Sequence, residues 1–201
     1  MTPFPQPLTA KAAPLMADNV DTDIIIPSRE IKTTGRSGLA DGLFAPWRYA
    51  NAITRAEDPQ FVLNQPDYRA AQILLAGANF GCGSSREHAV WALAEFGIKA
   101  IIAESFGSIF HGNCLRNGVL PITLERKLVE TLAHQDVTID LAAQTIRANG
   151  TSHSFSIEPE ARQMLAEGLD AIDLSLKQAD AIEAWTDADR LARPWVYLER
   201  A

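Results

Sequence analysis

"AQILLAGANFGCGSSREHAVWALAEFGIKAIIAES", residues 71–105, decides the fold. Its opening, "AQILLAG" (71–77), is a short continuous apolar run closed by glycine, the pattern of a strand covered on both faces. A glycine-rich turn comes next, then a helix from Ser84 to about Phe96, then a second buried strand, "KAIIAES" (99–105). A short helical piece over 106–117 leads through "GVLPITL" (118–124) to a third strand. Strand–helix–strand–helix–strand in this order implies a parallel sheet with right-handed crossovers.

Working outward, "ERKLVETLAHQ" (125–135) reads as an amphipathic helix with Leu128, Leu132 and Ala133 on one face. The stretch 137–158 alternates polar and apolar residues around Asn149-Gly150, the strongest short signal for a hairpin, so antiparallel strands join the parallel ones. Pro159 opens a further helix at its first turn, and another covers about 177–190. Upstream, "DIIIP" (23–27) is a short strand or a tight connection, and "KTTGRSGLADG" (32–42) is loop chemistry. The class is therefore mixed α/β, one domain over 1–201, with a flexible, proline-rich start at about 1–7.

Composition narrows the function. The chain has 201 residues, 47% hydrophobic and 21% charged, which is enough for one packed core. No apolar run nears the ~18 residues that span a bilayer, and no basic-then-apolar leader opens the chain, so the expected compartment is the cytoplasm, with no membrane partner. A net charge of −7 argues against a nucleic-acid partner, whose phosphates call for a basic face. Cys82 and Cys114 are the only cysteines; neither sits in a C-x-x-C pair, and both read as small buried thiols. An iron–sulfur cluster takes about three or four cysteines, so no cofactor or metal is expected in this chain.

The junction 81–88 carries the chemistry. Gly81 and Gly83 let a ligand approach the main chain, and Ser84-x-x-Glu87 has capping-box spacing, with Ser84 as the cap. The helix amino end above it attracts anions, and Arg86 adds a planar cationic fork suited to carboxylate or phosphate. An arginine in a first turn opposes the helix dipole unless an anion visits. The alternative is plain capping with a solvated arginine. A phosphate loop, G-x-S-x-G and a complete dinucleotide fingerprint are all absent, which leaves a carboxylate as the anion.

"GANFGCGSSREHAVWAL" (77–93) resembles the signature of the aconitase-type swivelling domain, and "ADNVDTDIIIP" (17–27) resembles a second hallmark of that superfamily. Within it the chain is similar to the isopropylmalate dehydratase small-subunit family. That similarity runs through "GLFAPWRY" (42–49), "DPQFVLN" (58–64), "SFGSIFHGNCLRNGVLP" (105–121) and "GLDAIDLSLKQADAI" (168–182). The resemblance implies a mixed β/β/α swivelling fold. It also implies a heteromer in which a large subunit holds a [4Fe-4S] cluster that draws off the substrate's hydroxide as a Lewis acid. The reaction implied is dehydration and rehydration of a small dicarboxylate in leucine biosynthesis.

By the same resemblance Ser84 is the catalytic base, and Ser85 and Arg86 bind substrate carboxylate beside the backbone of Gly83. Arg36 falls in a substrate-discriminating loop, although "GRSG" (35–38) has Gly35 and Ser37 where threonines are frequent. Asp18, Asp21 and Asp23 shape a turn near the site and bind no metal; Asn113 and Cys114 pack beneath it. Glu87 and His88 cap and pack, and His111, His134 and His153 carry no chemistry. Two other readings remain open: a subunit acting on citraconate, dimethylmalate or homoaconitate, and a stand-alone carboxylate-binding module.

Overall fold

The computed structural model describes residues 1–32 and 35–197. In chain order, β1 (Leu8–Leu15) leads to a single helical turn, α1 (Thr22–Ile25), then to α2 (Ala45–Arg48) and a small ribbon of β2 (Tyr49–Asn51) and β3 (Ala56–Glu57). The middle alternates β4 (Ile73–Ala76), α3 (Glu87–Phe96), β5 (Ala100–Ala103), α4 (Ser108–Arg116) and β6 (Leu120–Thr123). Then come α5 (Arg126–Thr131), β7 (Asp136–Asp140), β8 (Thr145–Ala148), β9 (Thr151–Ser154), α6 (Pro159–Glu167), α7 (Ala171–Leu176) and α8 (Ala179–Ala192). None of the described helices is long and apolar enough to cross a membrane.

The main sheet has seven strands in the order β6-β5-β4-β1-β7-β8-β9, and the class is mixed α/β as the sequence implied. β1 joins its two halves. Residues Ala12–Leu15 pair in parallel with Ile73–Ala76, while Leu8–Lys11 pair antiparallel with Asp136–Ile139. Sequence reading gave no strand here, because "LTAKAAPL" lacks β-branched residues apart from Thr9 and carries a proline. The position of Pro14 explains its tolerance. Ala12 N–H bonds Gln135 O on the β7 side, so the nitrogen of Pro14, two residues on, faces the same side past the end of β7. No ladder bond is lost.

β4 and β5 are buried along their whole length. Leu74, Ala76, Ile101 and Ala103 face a core shared with α3 and α4, through Ala89, Leu93 and Phe110. Ile73, Leu75, Ala100 and Ile102 face a second core that includes Val129 of α5 and Leu165 of α6. Covering both faces is what makes these strands read as unbroken apolar runs. Each fully buried Leu or Ile contributes roughly 1.5–3 kcal/mol. Phe4 joins the second core, and its N–H bonds Leu165 O at 2.8 Å.

Three local expectations change. Of the two readings of "DIIIP" the strand falls and the tight connection holds: Asp23–Ile25 belong to the helical turn α1, which the Asp21 side chain caps by accepting from Ile24 N–H at 2.8 Å. The helix expected over 125–135 ends at Thr131, although Leu128, Leu132 and Ala133 do face the second core. The helix expected from Ser84 begins at Glu87. The hairpin at Asn149-Gly150 and the proline start of α6 stand as the sequence indicated.

Candidate active site

β1, β4 and β5 run parallel, and the loops leaving their carboxyl ends meet, as ligand-binding loops of such sheets do. Residues 79–86 are stitched between the other two loops. Gly81 N–H bonds Val20 O at 2.7 Å and Thr22 N–H bonds Cys82 O at 3.0 Å. On the other side Phe80 N–H bonds Ser105 O at 3.0 Å and Gly107 N–H bonds Phe80 O at 2.9 Å. Gly81 has φ +73°, and a Cβ there would lie 2.1 Å from the Phe110 ring, so only glycine fits. The seam borders an open cavity of about 320 Å³ lined by Gly83, Ser84, Ser85 and Arg86 and by the start of α4.

Ser84 is exposed in this cavity, and its hydroxyl has no hydrogen-bond partner among the described residues. Its backbone is fixed: Ser84 O accepts from Thr22 Oγ1 at 3.0 Å and from Arg86 N–H at 2.7 Å. The N–H groups of Gly83, Ser84 and Ser85 donate to no acceptor among the described residues. Three consecutive backbone donors without internal acceptors are available to an anion that enters the cavity. No Asp or Glu lines the cavity.

The capping box does not form. Arg86 occupies the cap position without a side-chain cap, and Glu87 Oε1 accepts instead from Asn117 Nδ2 at 2.7 Å, tying α3 to the end of α4. The anion that offsets Arg86 is internal: Nη1 pairs with Asp23 Oδ1. This single contact leaves Nε and Nη2 with no protein acceptor among the described residues, and the side chain is 25% exposed.

The three aspartates hold structure, as the sequence suggested. Asp18 accepts from Ala78 N–H at 2.8 Å and from Arg126 at 2.7 Å, Asp21 caps α1, and Asp23 holds Arg86. Among the described residues no three His, Cys, Asp or Glu side chains gather as a metal-binding group. Cys114 is fully buried, and burial pushes its thiol well above its ordinary pKa. Cys82 departs from the expected buried thiol: it is half-buried, because its loop forms part of the cavity lining. His111 lies against Phe106 with ring centroids 5.7 Å apart, and burial lowers its pKa, which keeps it neutral near pH 7.

Gly83, Ser84, Ser85 and Arg86 thus share one cavity, but Arg36 is not on its lining. Its guanidinium lies over the Trp91 ring of α3, 5.1 Å from the centroid. Thr33 and Thr34 of the same loop lie outside the described residues. The rest of the loop is fastened by Glu95, whose carboxylate accepts from Gly38, Leu39 and Ala40 N–H at 2.6, 2.6 and 2.9 Å. Nothing in the sequence pattern singled out Glu95.

Partial burial raises the Glu95 pKa, but the three donors outweigh it and the net shift is downward from 4.5. A depressed carboxylate pKa means that the anchor is complete above the ordinary glutamate value and is lost as pH falls through the folded-state value. Glu95→Gln is expected to speed hydrogen exchange at Gly38–Ala40 by about tenfold at pH 7, since charge-assisted bonds are lost. Acidification below the ordinary carboxylate range should lower the protection factors of the same amides in the native protein, each measured against the intrinsic exchange rate at that pH. Unchanged exchange in both would remove Glu95 as the anchor.

Residues 5–127 match the family model described as the aconitase C-terminal domain. The chain is 55% identical over 197 residues to the 3-isopropylmalate dehydratase small subunit of Cupriavidus necator, covering 94% of this chain and 95% of that protein. It is 50% identical over 196 residues to the protein of the same name from Rhodospirillum centenum, covering 94% and 96%. The crystal structure of a 3-isopropylmalate dehydratase from Methanocaldococcus jannaschii matches with a TM-score of 0.67 at 32% identity, over 90% of this chain and 99% of that one.

Proposed function

The chain belongs to the aconitase C-terminal domain family, among the 3-isopropylmalate dehydratase small subunits, and from that premise we propose how its cavity serves the reaction. The chain is the small subunit of a heteromeric hydro-lyase that interconverts 2-isopropylmalate and 3-isopropylmalate through 2-isopropylmaleate in leucine biosynthesis. The partner is a large subunit, and the place of action is the cytoplasm.

Ser84 takes the proton from the carbon beside a substrate carboxylate and later returns it. A serine hydroxyl is a poor base in water, so its anionic form needs fixed donors in a site closed from solvent. The free N–H groups of Gly83–Ser85 and the Arg86 guanidinium supply them. Ser85 and Arg86 orient the carboxylate, and Arg36 contributes to substrate choice from the neighbouring loop. A buried, protonated Cys114 and a lone Cys82 do not fit an iron–sulfur cluster, so that group is assigned to the large subunit. The observation that carries the reading is the unpartnered Ser84 hydroxyl in one cavity with Arg86 and three free backbone donors.

Mixing this chain with its large subunit should give dehydratase activity on 2- and 3-isopropylmalate, with neither chain active alone. Full turnover by this chain without the partner, or preference for citraconate or dimethylmalate over isopropylmalate, would overturn the assignment. Arg86→Lys should raise KM for isopropylmalate by roughly 10- to 100-fold, because an ammonium cannot hold Asp23 and grip a carboxylate through two parallel bonds. A KM equal to that of the wild type would remove Arg86 from carboxylate binding.

A further inference from the structure

The cavity has a second wall, the amino end of α4. Gly107 caps that helix without a side chain, so the N–H groups of Ser108, Ile109 and Phe110 have no capping acceptor. Many helices start this way, and the feature alone indicates nothing. Asn113 makes the difference. It is only 5% exposed, it lines the same cavity, and its Oδ1 accepts from Arg116 Nη2.

A guanidinium can only donate, so this bond fixes the carboxamide with its oxygen toward Arg116 and its nitrogen away from it. Nδ2 then donates to no acceptor among the described residues. Helical side chains lean toward the amino end of their helix, and Asn113 lines the cavity together with Ser108, Ile109 and Phe110 of the first turn. The Ser108 hydroxyl is likewise without a partner. The wall therefore presents the free first-turn N–H groups, the oriented Asn113 amide nitrogen on a residue only 5% exposed, and a Ser108 hydroxyl able to donate, with no Asp or Glu among its lining residues. Such a set matches an anion with several acceptor oxygens.

We infer that Asn113 and the amino end of α4 bind one carboxylate of a dicarboxylate whose other carboxylate meets Gly83–Arg86. This deepens the reading of the cavity as the substrate site and rests on it. Two donor walls in one small cavity select a diacid over a monoacid, and Arg116 acts as a positioning residue that holds the amide in its productive orientation.

The test is a titration of the full, ¹⁵N-labelled chain with 2-isopropylmalate and, as a control, with its uncharged diamide. The side-chain amide resonances of Asn113 should move with the diacid and stay fixed with the diamide, together with the backbone amides of Gly83–Arg86. Movement at Gly83–Arg86 with a stationary Asn113 amide overturns this inference alone. Stationary resonances at both walls sink it together with the carboxylate site. Movement at both walls, with a wild-type mixture inert towards isopropylmalate, keeps this inference and overturns the dehydratase assignment. In the assembled enzyme, Asn113→Asp should raise KM about tenfold or more through charge repulsion, while Asn113→Ser, which keeps a donor, should raise it less. Equal KM values in Asn113→Asp and wild type count against the inference in the same way.

Discussion

Replacing Ser84 by alanine should lower kcat of the assembled enzyme by about a thousandfold, the scale on which a lost general base acts. Stability should not follow. The bonds that fix this residue use its backbone carbonyl, from Thr22 Oγ1 and Arg86 N–H, and both survive truncation of the side chain. The hydroxyl itself is exposed and bonds nothing among the described residues, so the change in folding free energy should stay within about 0.5 kcal/mol. Steady-state kinetics beside a thermal melt separates the two effects. Turnover within a few-fold of wild type would end the assignment of Ser84 as the base, and a large fall in melting temperature would show a structural role.

Gly81→Ala should do the opposite and strike stability first. The residue sits at φ +73°, where side chains are strained, and the added methyl carbon would lie 2.1 Å from Cγ of Phe110. Phe110 cannot easily yield. It is 2% exposed, packs edge-on against Phe80 at 5.4 Å, and belongs to the core shared by α3 and α4. Strain plus overpacking of this kind costs about 2–4 kcal/mol, which for a chain of this size lowers the melting temperature by roughly 5–15 °C. Catalysis should fall too, because any retreat of Phe110 shifts the start of α4 and the cavity wall with it. A melting temperature within about 2 °C of wild type would show that the seam is far more compliant than its geometry implies.

The two residues also show how far sequence reading reaches. Ser84, Ser85, Arg86 and Gly83 could be placed together because they are consecutive, and a strand–turn–helix junction keeps neighbours together whatever surrounds them. The capping box misled for a related reason. Its spacing is local, but Asn117, thirty positions away, takes the Glu87 carboxylate and the helix starts later. Arg36 stacks on Trp91, outside the cavity lining, a placement decided by the three backbone bonds to Glu95. Asn113 looked like packing, since nothing in its neighbourhood reveals that Arg116 turns its amide toward a cavity.

By itself the sequence determined the buried strands β4 and β5, the hairpin at Asn149-Gly150, and the glycine–serine–arginine junction. Each depends on patterns within a few residues: burial on both faces, a turn that needs positive φ, a chain reversal into a helix. Only the tertiary structure decided that β1 is the strand joining both halves of the sheet, that Asp23 is the anion beside Arg86, and that α4 supplies the opposite wall of the cavity. Those facts rest on pairings between segments from about twenty to more than a hundred residues apart. Their register is set by how whole faces pack, which no short window of side chains encodes.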